Sequence, residues 1–99
     1  MNPTKQYIDV LWKHQDNEDP IRLVSELGED RSELRKLEFF ADGTVDAADN
    51  ERETPRTQLG IADVPSLEEI NQDPQFEGSA ITVDAFEAMW LEHACPAKH

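Results

Sequence analysis

Carboxylates dominate the side chains of this sequence that could do chemistry. Asp and Glu number 22 against 9 Lys and Arg, so 99 residues carry a formal charge of -13. Paired carboxylates can serve as general acid and base. At this density, however, neighbouring acids arise from composition alone and single out no pair. The candidate nucleophiles are Cys95, Ser25, Ser32, Ser66 and Ser79, and none lies in a Gly-x-Ser-x-Gly elbow. Cys95 follows a helical stretch, where the C-terminal end of the dipole disfavours a thiolate. His93, Cys95 and His99 lie close together, but their spacing fits no zinc-finger pattern and no fourth ligand stands nearby. Asp16, Glu18 and Asp19 would attract calcium, yet the glycine and closing glutamate of an EF-hand loop are missing. Gly28, Gly43, Gly60 and Gly78 are scattered and form no phosphate loop. The expectation is a chain that is not an enzyme and uses no cofactor or metal.

Charge is the most informative feature, above all its distribution, although on charge alone a solvated face outweighs a docking face. From Thr57 through Ala97 there is no Lys or Arg, while Asp63, Glu68, Glu69, Asp73, Glu77, Asp84, Glu87 and Glu92 all fall in that stretch. The C-terminal helices are therefore expected to present a one-sign surface, and such surfaces speed association with an opposite charge. The plainer reading is a solvated face that keeps the chain in solution. Nucleic acid is a poor partner for this charge. No apolar run approaches the roughly 20 residues of a membrane span. The N-terminus lacks the apolar stretch of a secretory signal. A lone cysteine fits a reducing cytoplasm.

These residues need elements to position them. Hydrophobic residues make up 37% of the chain, enough for a single domain over 1–99 with an ordered core of about 6–94. Ile8, Val10 and Trp12 alternate with Asp9 and Lys13, which predicts a strand. The loop 15–20 leads to a second strand over Ile21–Glu26. A third, over Glu33–Ala41, turns at Asp42-Gly43 into Thr44–Ala47, and Asp-Gly predicts a type I′ turn. Arg56–Gly60 is a candidate fifth strand. Ser66 and Glu69 match a capping box, and Pro74 stops that short helix. Thr82 caps a second helix, whose Phe86, Met89, Trp90 and His93 form one stripe. The predicted fold is α+β: an antiparallel β-meander of four to five strands, then a short helix and a C-terminal amphipathic helix packed on the sheet. The expected core is Ile8, Val10, Trp12, Ile21, Leu23, Leu37, Phe39, Val45, Leu59, Ile70, Phe76, Phe86, Met89 and Trp90. Tyr7, Leu11 and Phe40 are expected to face outward.

Four segments also carry a resemblance. They are Tyr7-Ile8-x-Val10-x-Trp12-x-His14, Arg35-Lys36-Leu37-Glu38-x-Phe40-x-Asp42-Gly43, Pro65-x-Leu67-Glu68-Glu69-Ile70-Asn71-x-Asp73-Pro74-x-Phe76-Glu77, and Phe86-Glu87-x-x-Trp90. Together they resemble a small bacterial domain family of unknown function, over about Tyr7 to Leu91. Such domains occur beside secreted or contact-delivered toxins. The resemblance thus implies an immunity protein, and many toxins of this kind are nucleases with basic clefts. The leading expectation is a binder that neutralises a basic toxin domain through Asp63, Glu68, Glu69, Asp73, Asp84 and Glu87, with Asp16, Glu18 and Asp19 as further contacts. The alternative is a small acidic regulatory or self-associating module. A monomer is slightly favoured. Reversing Glu68, Glu69 and Glu87 to Lys separates the two readings: the first expects lost binding on an intact fold, the second little change.

Overall fold

In a computed structural model, described over residues 5–15, 19–49, 51, 53, 57, 59–60 and 63–93, the period-two runs become strands. They are β1 (Gln6–Trp12), β2 (Arg22–Leu27), β3 (Glu33–Phe39) and β4 (Val45–Asp49). After them come α1 (Leu67–Gln72), β5 (Phe76–Ala80) and α2 (Val83–His93). The strands form one sheet in the order β4-β3-β2-β1-β5, antiparallel at every pairing. The fold is α+β, with a five-stranded antiparallel sheet, a short helix and a C-terminal helix.

The fifth strand differs from expectation. Among the described residues of 56–60, Thr57, Leu59 and Gly60 are not in a strand. Phe76–Ala80 takes that role between the two helices and pairs with β1, at the far side of the sheet from β4. The Asp42-Gly43 turn is in the expected place but is not type I′. Phe40 N donates to Thr44 O, Gly43 N donates to Phe40 O, and Gly43 alone in this turn has positive φ, at 91°. This is a three-residue hairpin loop, with its glycine in the left-handed position that closes it.

Alternation along β1 decides which helix covers which face. Tyr7 shares a face with Val24 and Leu37, and Phe86 and Trp90 of α2 pack there. Ile8 and Val10 point the other way, onto Leu67 and Ile70 of α1, with Val64 and Phe76 beside them. The sheet is thus covered on both faces. A helical pair sharing one surface, as the charge pattern suggests, is not what forms.

Two details fix α1 against the sheet. A Cβ on Gly78 would stand 3.0 Å from a methyl of Leu67 and 3.4 Å from one of Val10, so glycine sets how closely α1 approaches β5. Asn71 accepts from Gly78 N at 2.7 Å and donates to Gly78 O at 3.0 Å. The Ser66–Glu69 capping box forms as expected.

The core differs in part from expectation. Ile21 is 37% exposed, because β2 begins one residue later. Trp12, Leu23, Phe39, Val45, Leu59, Ile70, Phe76 and Met89 are only half-buried. Phe40 is buried rather than outward, since the chain bends after β3. Tyr7 packs beneath α2, while Leu11 does face solvent. Val24, Leu27 and Ala48 are fully buried core residues that the strand patterns leave out.

Gly78→Val is expected to destabilise the fold by about 1–3 kcal/mol, since it forces extra methyls between α1 and β1. Gly43→Asn, which tolerates the left-handed region, is expected to cost less than about 1 kcal/mol. Urea unfolding of the two variants checks the order.

Candidate protein-binding surface

The acids of interest divide between the two faces. Asp63 is exposed just before α1, Glu68 and Glu69 are exposed in its first turn, and Asp73 caps its C-terminus half-buried. Asp84 is exposed in the first turn of α2, beyond the opposite face of the sheet. Asp19 is half-buried before Pro20, and Asp16 and Glu18 lie outside the described residues. The structure thus brings Asp63, Glu68, Glu69 and Asp73 together and separates them from Asp84 and Glu87.

Glu87 is committed internally. Arg35 Nη2 donates to Glu87 Oε2 at 2.6 Å, and Arg35 Nη1 donates to Oε1 at 3.3 Å. Arg35 also grips Glu26, from Nε at 2.7 Å and from Nη2 at 3.0 Å. The guanidinium lies over the rings of Phe86 and Trp90, 4.8 and 5.0 Å from their centres. Tyr7 Oη donates to Glu26 Oε2 at 2.9 Å. The hydrogen bonds from Arg35 hold the Glu26 carboxyl below its ordinary value; burial works against them and the Tyr7 bond adds to them. Burial first, and then the bond to Glu26, push the Tyr7 hydroxyl up. Reversing Glu87 therefore breaks this ion pair and cannot leave the fold untouched.

The other described cations are also engaged. Arg22 grips Asp9 with two hydrogen bonds, of 2.9 and 2.6 Å, and lies over Phe39. Lys36 is buried between Glu33 at 3.2 Å and Glu38 at 3.4 Å, and Thr57 donates to Glu38. Lys13 meets Glu77 and Lys5 meets Glu26. Arg31, at φ 66°, donates to the carbonyls of Val64 at 2.8 Å and Pro65 at 2.6 Å, and to Gln6. Asp63, Glu68, Glu69, Asp73 and Asp84 make no ion pair with a described cation. Charge used internally thus joins strands and helices, while the α1 acids stay turned outward.

Beside those acids lies a cleft of about 390 Å³. Ile8, Val10 and Leu23 form its floor, Val64, Ile70 and Phe76 its walls, and Glu33, Glu69 and Asp73 supply carboxylates. The sequence patterns give the floor but not the cleft. The one signal for it is Ser25, a short polar side chain at an inward strand position, which also lines the opening. Among the described residues no group of His, Cys, Asp and Glu is placed to hold a metal ion. His93 packs edge-on against Phe39, while Cys95 and His99 lie outside the described residues.

The most distinctive string of the sequence is tied together by its own hydrogen bonds. Asn71 bonds to Gly78, Asp73 accepts from Gln75 N at 2.9 Å, and Phe76 N donates to Asp73 O at 3.0 Å. That string is the joint between α1 and β5. Residues 6–95 match the model of a family described as Domain of unknown function (DUF6881), and the chain belongs to that family. No curated protein and no solved structure matches it.

Arg35→Ala is expected to cost about 3–5 kcal/mol, because it strips the buried Glu26 carboxylate of its two guanidinium hydrogen bonds and leaves only the exposed Lys5 at 3.8 Å. Since the folded-state carboxyl of Glu26 is depressed below 4.5, its contribution is complete above that value. It is lost as pH falls through the lower folded-state value. Stability should therefore drop on acidification below about pH 4.5, and Glu26→Gln should flatten that limb. Urea midpoints measured from about pH 7 to pH 3 check the sign.

Proposed function

We propose that this member of the family is an immunity-type protein that binds a basic, nuclease-type toxin domain and blocks it. One observation carries the reading. The described lysines and arginines are engaged within the fold, whereas Asp63, Glu68, Glu69 and Asp73 stand together at α1 with no described cation. A cleft built to hold nucleic acid presents Lys and Arg. An acidic domain complements such a cleft and competes with the phosphates for it. The resemblance to domains that neighbour toxins supports the same partner class.

The block is by occupancy and needs no reaction from this chain. It acts in the cytoplasm, where a delivered nuclease would meet its substrate. No helix among the described residues is long and apolar enough to cross a membrane. Glu87 has no direct part in the contact, because it holds Arg35. Asp84 stands on the far face and belongs to a separate patch.

Affinity capture of the tagged chain from its own cells tests the proposal. The expected result is a stoichiometric basic domain whose nuclease activity is lost when the purified chain is added. The association rate should fall at least about tenfold between roughly 50 and 500 mM salt, as screening shortens the reach of the charge. Glu68→Lys should slow association at low salt and, by placing a cation in the first turn of α1, cost the fold no more than about 1 kcal/mol. A rate flat with salt, or capture of nothing but further copies of the chain, overturns the reading. The second result would point to a self-associating module.

A further inference from the structure

We infer that the cleft beside α1 is an anchor pocket for one aliphatic side chain of the basic partner, with lysine or arginine next to that side chain meeting Glu69 and Asp73. The inference rests on the basic-partner reading and adds the place and chemistry of the contact. Its first support is shape. About 390 Å³ lies within the range of pockets that enclose a ligand group. Protein interiors close-pack, and an apolar gap collapses where its walls can move.

These walls are held. Arg31 fixes the carbonyls of Val64 and Pro65 ahead of α1. The capping box fixes its first turn, Leu67 rests on the backbone at Gly78, and Asn71 ties the last turn to β5. From the sheet, Ser25 is too short to fill the space that a larger strand residue would occupy. The described walls of the opening are therefore held in place by contacts within the fold.

The second support is charge. Of the three carboxylates at the cleft, Glu33 is taken by Lys36. Glu69 and Asp73 have no described cation, and Glu68 and Asp63 lie close by in sequence without one. An anionic segment is repelled here, and a neutral apolar one leaves the rim unmatched. A segment with an aliphatic residue between cationic ones satisfies both parts of the site. Burying that residue in an apolar pocket supplies affinity, and the flanking charges supply orientation and rate.

Glu69 and Asp73 also have structural duties, and both survive neutralisation. Glutamine serves in a capping box, and asparagine serves in an Asx turn. Glu69→Gln with Asp73→Asn therefore removes charge and leaves the folding contacts in place.

The test is a methyl NMR titration of the full chain with blocked pentapeptides Lys-Lys-Leu-Lys-Lys, Lys-Lys-Ser-Lys-Lys and Glu-Glu-Leu-Glu-Glu, and with hexylamine. The leucine–lysine peptide is expected to shift the methyls of Ile8, Val10, Leu23 and Ile70. Its Kd should lie at least about tenfold below that of the serine peptide, the scale of burying one leucine side chain. The glutamate peptide should not bind. The double variant should bind the leucine–lysine peptide several-fold more weakly with an unchanged Tm. Equal binding of the leucine and serine peptides, with shifts spread over the acidic surface, overturns the pocket while the basic-partner reading stands. Hexylamine binding in the cleft as tightly as the peptide overturns a polypeptide occupant. Failure of every lysine peptide to bind overturns the pocket; the salt dependence of the captured complex then judges the broader reading separately.

Discussion

Arg35 is the point at which the sheet and α2 become one structure. Its guanidinium is shared between Glu26, on the neighbouring strand, and Glu87, on the helix, and its flat face rests on Phe86 and Trp90. A lysine could supply the charge but not the planar fork that serves two carboxylates at once. Glu26 is almost fully buried, so its charge depends on this partner, on the Tyr7 hydroxyl and on the more distant Lys5. The aromatic stripe of α2 and the alternation of β1, β2 and β3 converge on this contact. The same side of the sheet repeats the device with Arg22, which joins Asp9 of β1 to the ring of Phe39.

Much of the fold was legible in the sequence where local patterns and tertiary packing agree. The alternation of Ile8, Val10 and Trp12, the position of the Asp42-Gly43 hairpin, the Ser66–Glu69 box and the stripe of α2 each form where expected. The fifth strand was not legible. Phe76-Glu77-Gly78-Ser79-Ala80 is poor in β-branched residues, and its place is set by α1 packing over Gly78 and by pairing with β1. The turn type was missed because Asp-Gly also suits a three-residue loop with only the glycine left-handed. Phe40 reads as outward by strict alternation, but alternation ends with the strand.

The candidate site was legible as chemistry and not as geometry. A run without Lys or Arg does become an acidic surface around α1, but one helix faces each side of the sheet, so the run yields two surfaces. Glu87 and Glu68 cannot be told apart by composition. One faces an arginine on β3 and the other solvent, and only the pairing of elements decides which. The cleft depends on Ser25, Val64 and Ile70, residues distant in sequence that meet through the order of strands.

The amide of Asn71 has a consequence for how this sheet ends. β5 is an edge strand, and an edge offers unpaired N–H and C=O groups to any strand that arrives. At Gly78 both groups are already bound, by the Oδ1 and Nδ2 atoms of one side chain. At Phe76 the N–H is taken by Asp73. A single residue thus imitates a sixth strand one residue long. It closes the middle of the glycine-bearing edge strand to an incoming strand, and it does so without a lysine or proline in that strand.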